Sequence, residues 1–346
     1  MRTLARILTT FATALLVGAV ILIVSGRSPI AVYGLLWQQA FGSTSAFADT
    51  LLNATPLIFT GVATALAFQA GVFNVGVEGS MYMGAFAAAW VAFTLTTLPW
   101  WVLIPLAFLG SAVAGLLWAL LPAVLKAYLQ VDEVVTTLLL NYVAIDITAY
   151  LVTYPFLAPG AANSMSVPIA SQAELPRLVA SSQLNAGFLV AVAVAIVAAW
   201  LIRRSVLGFE IRSLGQNPWF ARTMGIPLAR TIVAAMCVSG LIGGLGGATQ
   251  VLGVNYRFVQ GFSPGYGFDG ITVALMANNN PIGAIVGAVL IGALRNGGTT
   301  MQLFTNIPLD LVNVLQAIVI LLVTVNVGFR IRSRGWRRKQ EAKTAS

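Results

Sequence analysis

Two acidic residues stand in matching surroundings. Gly76-Val77-Glu78-Gly79 and Gly267-Phe268-Asp269-Gly270 each read glycine, apolar, acid, glycine, and each precedes an apolar run in a chain that is 58% hydrophobic. An ionisable side chain at membrane depth costs about 2.5–3.5 kcal/mol on insertion scales, so it is paired, caps a helix or lines a pathway. Two roles stay open for Glu78 and Asp269: each carboxylate caps the N-terminus of the helix it precedes, or it borders a route for a solute. Gly76, Gly79, Gly267 and Gly270 mark helix breaks on the second reading and merely permit close helix packing on the first. Other candidates for such a route are polar residues inside apolar helices: Asn74, Asn141, Asp146, Gln250 and Asn255. Asn141 would serve equally as interhelical glue, worth about 1 kcal/mol.

The residue inventory excludes much other chemistry. There is no histidine, one cysteine (Cys237) and only three lysines (Lys126, Lys339 and Lys343). Zinc and haem sites, disulfides and Ser-His or Cys-His catalysis are therefore not expected, and neither is any metal or cofactor. No glycine directly precedes a lysine, so the G-x-x-x-x-G-K-[ST] phosphate loop is missing. The chain is not expected to be an enzyme, and any coupling to ATP must come from a partner. Cys237 reads as inert filler in mid-span. Trp90, Trp100, Trp101 and Trp118 read as interfacial anchors or packing.

Only 8% of the 346 residues are charged, against about 25% in soluble proteins, so the chain belongs in a membrane. A spanning helix needs about 20 apolar residues. Such runs are Ile7 to Val24, Leu51 to Ala70, Met81 to Leu98, Trp101 to Leu121, Val134 to Thr153, Ala186 to Ile202 and Thr231 to Val251. The first is read as a retained helix, because its apolar core is long for a signal peptide and no A-x-A site follows. Tyr154 to Asn185, rich in Pro, Ser, Asn and Gln, reads as an extramembrane loop. Lys and Arg collect on the cytoplasmic side, which places the N-terminus, the Arg203 to Arg230 loop and the tail from Arg330 together there. An odd number of crossings must then follow the seventh span. Phe268 to Ala277, Ile282 to Leu294 and Leu309 to Val327 supply three, two of them short and hinged at Asn278-Asn279-Asn280-Pro281, for ten in all. One crossing plus a re-entrant hairpin gives eight.

The two acidic tetrads lie five spans apart on the ten-span count, so the helices after them run in opposite directions. The expectation is an all-α polytopic protein of about ten transmembrane helices, in two five-helix halves of inverted topology with broken helices. One membrane domain would comprise a first half (1–185, with the outer loop 154–185), a second half (186–329, with the cytoplasmic loop 203–230) and a basic tail (330–346). The net charge of +9 then resides on one face of a slightly acidic body and argues for topology, not for nucleic acid. Arg257 and Arg295 depart from the inside rule. Arg295 is expected to snorkel to headgroups, and the role of Arg257 is open.

The Arg203 to Arg230 loop contains Asn217 as an N-cap, Pro218 at a first helical position and a stop at Gly225-Ile226-Pro227, which predicts a short helix over 219–224. It would dock on a partner or lie on anionic headgroups.

Several stretches carry a resemblance: Thr55-Pro56-Leu57-Ile58-Phe59-Thr60-Gly61, Phe73-Asn74-Val75-Gly76-Val77-Glu78-Gly79-Ser80, Thr136-Thr137-Leu138-Leu139-Leu140-Asn141-Tyr142, Leu214-Gly215-Gln216-Asn217-Pro218 with Ala221-Arg222-Thr223-Met224-Gly225-Ile226, and Gly283 to Asn296. In order, over Thr55 to Gly298, they resemble permease subunits of bacterial ATP-binding-cassette importers. The branch is the nucleoside-type one of the family that also holds ribose and branched-chain amino acid permeases. Ser80 stands where the commonest form of the motif has glutamine. The resemblance implies a ten-helix inverted-repeat fold in the bacterial inner membrane. It also implies a dimer with a second, distinct permease around a central pathway, a cytoplasmic ATPase on each permease, and an extracytoplasmic solute-binding lipoprotein. Gly215, Asn217, Ala221, Arg222 and Gly225 would then belong to the ATPase-coupling segment. A proton-coupled secondary transporter using Glu78, Asp146 and Asp269 is the competing reading, since buried acids and inverted repeats suit it equally. A structural membrane protein without transport is a third.

Overall fold

The computed structural model describes residues 16–20, 22–24 and 28–304. The ordered elements are α1 (Pro29–Phe41), α2 (Thr44–Gln69), α3 (Val77–Thr94), α4 (Trp100–Leu129), α5 (Glu133–Thr153), α6 (Gly187–Arg204), α7 (Val206–Gln216), α8 (Pro218–Thr223), α9 (Leu228–Gln250), α10 (Tyr266–Met276) and α11 (Pro281–Phe304). A π-helical turn, Val251–Asn255, extends α9. Among the described residues no strand forms beyond isolated bridges such as Leu157 to Ser166 and Met165 to Val259. Six helices, α2, α4, α5, α6, α9 with its extension, and α11, are long and apolar enough to cross a membrane. The protein is thus an all-helical, polytopic membrane protein. The predicted span Leu309 to Val327, most of Ile7 to Val24 and the tail lie outside the described residues.

Several elements depart from the sequence reading, among them α11, which runs Pro281–Phe304 and is long enough to cross a membrane where the sequence predicts a short span, Ile282 to Leu294. Pro29–Phe41 is helical and α2 begins at Thr44, seven residues ahead of the apolar run. The cause is capping: Pro29 occupies the first turn of α1, and the Ser43 hydroxyl accepts from the Ala46 amide at 3.0 Å, starting α2 among small polar residues. The basic loop holds two helices, not one, because Ser205 caps α7 through the Gly208 amide at 2.9 Å.

Helix α2 is central. From Ala54 to Ala67 every residue is buried, the pattern of a helix apolar all round and enclosed by others. Helices α3, α4 and α9 approach closely through glycines. A Cβ on Gly84 would overlap the Gly244 backbone, and one on Gly115 the Gly240 carbonyl. Ser111 donates to the Gly244 carbonyl at 2.5 Å, so the seam is both tight and hydrogen-bonded.

Contacts fix the directions of α3 and α10, the helices that begin at the two tetrads. α2 starts beside the 154–186 segment, where Ser45 donates to the Ser181 carbonyl at 3.1 Å, and ends where Gly71 abuts Gly215 of α7. α10 runs with it: Gly270 lies on Thr60 and Gly61 on Val273, and the Gln69 side chain donates to the Asn279 carbonyl at 2.5 Å. α3 runs the other way, reaching the 154–186 segment where the Ala170 amide donates to the Ala92 carbonyl at 3.2 Å. Both therefore start partway along α2 and diverge.

Candidate functional site

The segment between α2 and α3 carries Asn74. Its Oδ1 accepts from the Gly76 amide at 2.8 Å, and its Nδ2 donates to Ser239 of α9 at 3.0 Å. From α5, Thr137 accepts from the Val75 amide at 3.2 Å. Asn141 donates to the Val75 carbonyl at 3.0 Å and accepts from the Gly79 amide at 2.8 Å. Both amides are buried, and each satisfies donors that the first turn of α3 would otherwise leave open. Thr137, from the same run as Asn141, is a clasp residue that the sequence reading did not single out.

The start of α10 meets this clasp. Ser263 accepts from the Gly265 and Tyr266 amides at 3.2 and 3.1 Å. The Gly267 amide donates to Glu78 Oε2 at 2.5 Å. A Cβ on Gly267 would fall 2.5–2.7 Å from the Glu78 backbone, and one on Gly270 2.6 Å from Thr60, so these glycines allow two helix starts to touch. The carboxylate of Glu78 sits where the positive end of the α10 dipole favours it. Glu78 thus lies in the first turn of α3 and by hydrogen bond also caps the start of α10, the helix of the other tetrad.

Asp269, in the first turn of α10, pairs with Arg295 of α11 at 2.6 Å. The guanidinium lies 4.9 Å from the centroid of the Tyr266 ring and donates to the Pro264 carbonyl at 3.4 Å. The expected snorkelling of Arg295 is thereby overturned. A buried carboxylate one helix away holds the cation inside, where an unpaired charge would cost far more than the lost headgroup contact. Arg257, whose role was open, lies against the Met165 sulfur at 3.2 Å. The two tetrads, Asn74 and Asn141 thus form one junction. Gln250 and Asn255 do not join it. They close α9, where Leu175 and Asn185 of the 154–186 segment bond to the carbonyls of Leu252 and Gly253 at 2.9 Å. Asp146 is exposed on α5.

A family model described as the permease component of branched-chain amino acid transport systems matches residues 46–324, a range that contains the whole junction. The chain belongs to this permease family. The permease is 35% identical over 316 residues, 90% of both chains, to a guanosine ABC transporter permease protein of Bacillus subtilis. It is 33% identical over 331 residues to a glucose ABC transporter permease protein of Haloferax volcanii, covering 93% of this chain and 87% of that one. It is 32% identical over 321 residues to a nucleoside ABC transporter permease protein of Lactococcus lactis, covering 90% and 87%.

Ser80 and the basic segment also gain a place in the permease. Ser80 is buried against Gly243, and its hydroxyl has no hydrogen-bond partner among the described residues. In the basic segment, Asn217 Oδ1 accepts from the Trp219 and Phe220 amides, each at 3.1 Å, and so caps α8. Pro218 follows at the first position and Gly225 closes the segment at φ +78°. Ala221 is fully buried, whereas Trp219, Phe220, Arg222 and Met224 are exposed. Gly215 lies so close to Gln69 and Gly71 that a Cβ there would overlap the Gln69 carbonyl. The segment is thereby wedged against the end of α2.

Proposed function

We propose that this permease, with a second and distinct permease, forms the membrane route of an ATP-binding-cassette importer for nucleosides or a related ribosyl or simple-sugar solute. The observation that carries the substrate class is the 35% identity to the guanosine permease along 90% of both chains. The likeness to a glucose permease keeps sugars within the class.

The finer architecture belongs to the same proposal: ten spans in two inverted halves, 1–185 and 186–329. It is supported by α3 and α10, which start at one junction and diverge. Alternating access then consists of relative movement of the halves about this junction, with Asn74, Glu78, Asn141, Asp269, Gln250 and Asn255 the candidates for transient solute contact. Gly76, Gly79, Gly267 and Gly270 are its helix breaks. A cytoplasmic ATPase docks on α7 and α8, where Gly215, Asn217, Ala221, Arg222 and Gly225 set the shape of the segment. A solute-binding lipoprotein delivers to the 154–186 face. Both termini lie on the cytoplasmic side of the inner membrane, a placement supported by the arginines of the loop and tail.

The test is uptake of labelled guanosine, ribose, glucose and branched-chain amino acids by a deletion strain and its complemented parent, with and without collapse of the proton gradient. Guanosine uptake that persists while ATP is maintained is the expected result. Uptake that ends with the proton gradient would overturn the reading in favour of secondary transport.

A further inference from the structure

Three spans present a continuous free face, and these faces differ in chemistry. On α4 the free stripe is Pro105, Leu109, Val113, Leu117 and Leu121; on α6 it is Leu189, Ala193, Ile196, Val197 and Trp200. Both are wholly apolar and suit hydrocarbon. The free face of α5, the least buried of the six candidate spans, carries Leu139, Tyr142, Val143, Asp146, Ile147 and Tyr150, with Tyr154 just past its end. At 1.5 Å per residue Asp146 lies about 20 Å from the Glu133 end of α5 and about 10 Å from the Thr153 end, well within hydrocarbon depth.

A carboxylate there is not lipid-facing, because the insertion penalty falls on a group that must be solvated or paired. The two ion pairs among the described residues are Lys126 with Glu133 and Asp269 with Arg295, so neither cation serves Asp146. Among the described residues this leaves water as its solvent. Tyr142 and Tyr150, one turn before and one turn after, flank the acid with aromatic rings that carry polar tips.

We propose that the Tyr142–Asp146–Tyr150 stripe borders the water-filled route and that Asp146 is its charge filter. It passes neutral or cationic solutes that bring hydrogen-bond donors, such as nucleosides, and rejects phosphorylated ones. Fixed charges in a narrow lumen discriminate by sign in this way, and rejection of the wrong solute is as effective as attraction of the right one. The proposal rests on the permease reading above and names the specificity element of its route.

The test uses the assembled importer in native membranes with Cys237→Ala as background, and single cysteines at Tyr142→Cys or Tyr150→Cys on α5, Leu109→Cys on α4 and Val197→Cys on α6. Each is treated with a cationic trimethylammonium-ethyl or an anionic sulfonatoethyl methanethiosulfonate. The α5 cysteines are expected to react and the α4 and α6 cysteines not to. Normalised to a free thiol, the cationic reagent should be favoured at α5, and Asp146→Asn should reduce that preference about three- to tenfold, the range for one charge at close range in a partly aqueous lumen. If the α5 cysteines are as unreactive as the controls, the face is covered by lipid or protein and the proposal is overturned. Reaction with no change of preference in Asp146→Asn removes the filter. Guanosine uptake measured on the same membranes before labelling reports on the permease reading separately.

Discussion

The backbone amide of Gly267 donates to the carboxylate of Glu78 at 2.5 Å, across 189 residues of sequence. The bond joins the first turns of α3 and α10, so its loss should register as loss of stability. Glu78→Gln keeps an acceptor oxygen at this position and should leave the melting temperature in detergent close to that of the parent. Glu78→Ala strips the Gly267 amide of its acceptor where little water can replace it, at a cost of about 1–3 kcal/mol. Thermal unfolding of the two purified variants checks this, and equal destabilisation of both would show that charge, not the hydrogen bond, matters here.

How much of this was legible beforehand can be read from the same residues. Composition and the periodicity of apolar runs place α2, α4, α5, α6 and α9 to within a few residues at most of their ends, because burial in lipid dictates their length. The two tetrads were marked by their repeated pattern. Which amide Glu78 reaches was not legible, since the choice between its own helix and α10 depends on contacts far apart in sequence. Arg295 illustrates the same limit: its counter-ion Asp269 sits on another helix, and only their proximity distinguishes a buried pair from a snorkelling cation. Helix α1 escapes the span count because its 13 residues are too few to cross a membrane, and its start rests on Pro29 at a first helical position.

Close approach at the junction leads to a second expectation. Gly267→Ala places a methyl group 2.5–2.7 Å from Glu78 backbone atoms, and relieving that overlap should cost about 1–3 kcal/mol. Gly34→Ala, in an exposed helical position with nothing within 4 Å, should instead stabilise by about 0.5–1 kcal/mol. Melting temperatures moving in opposite directions would bear this out. A neutral Gly267→Ala would mean that α10 can withdraw from α3 without penalty.

The Asp269–Arg295 pair should behave as a buried ion pair. Arg295→Met leaves the carboxylate without its cation and should destabilise by about 3–5 kcal/mol. Adding Asp269→Asn removes the uncompensated charge and should recover much of the loss. The yield of folded protein and its thermal midpoint for the two single variants and the double variant form a double-mutant cycle. Additive losses would show that the two side chains do not depend on each other.

Coupling to an ATPase is best tested at a residue that the permease does not need for its own fold. Ala221 is unsuitable, because it is fully buried and a larger side chain there would disturb α8 itself. Trp219 is 74% exposed at the first turn of α8, and the cap that orders this turn comes from Asn217, not from the indole. Trp219→Ala should therefore leave stability within about 0.5 kcal/mol of the parent, as surface substitutions commonly do. If the indole fills a pocket on the ATPase, its removal should cost about 2 kcal/mol or more of docking energy, as buried aromatic anchors do at interfaces. The expected phenotype is a permease that folds and reaches the membrane but imports guanosine at least tenfold more slowly, with less ATPase copurifying. Arg222→Glu, on the same helix and also exposed, separates shape from charge: if α8 instead lay on anionic lipid, Trp219→Ala would leave ATPase recovery unchanged, and charge reversal would lift α8 from the headgroups while the spans keep the permease in the membrane.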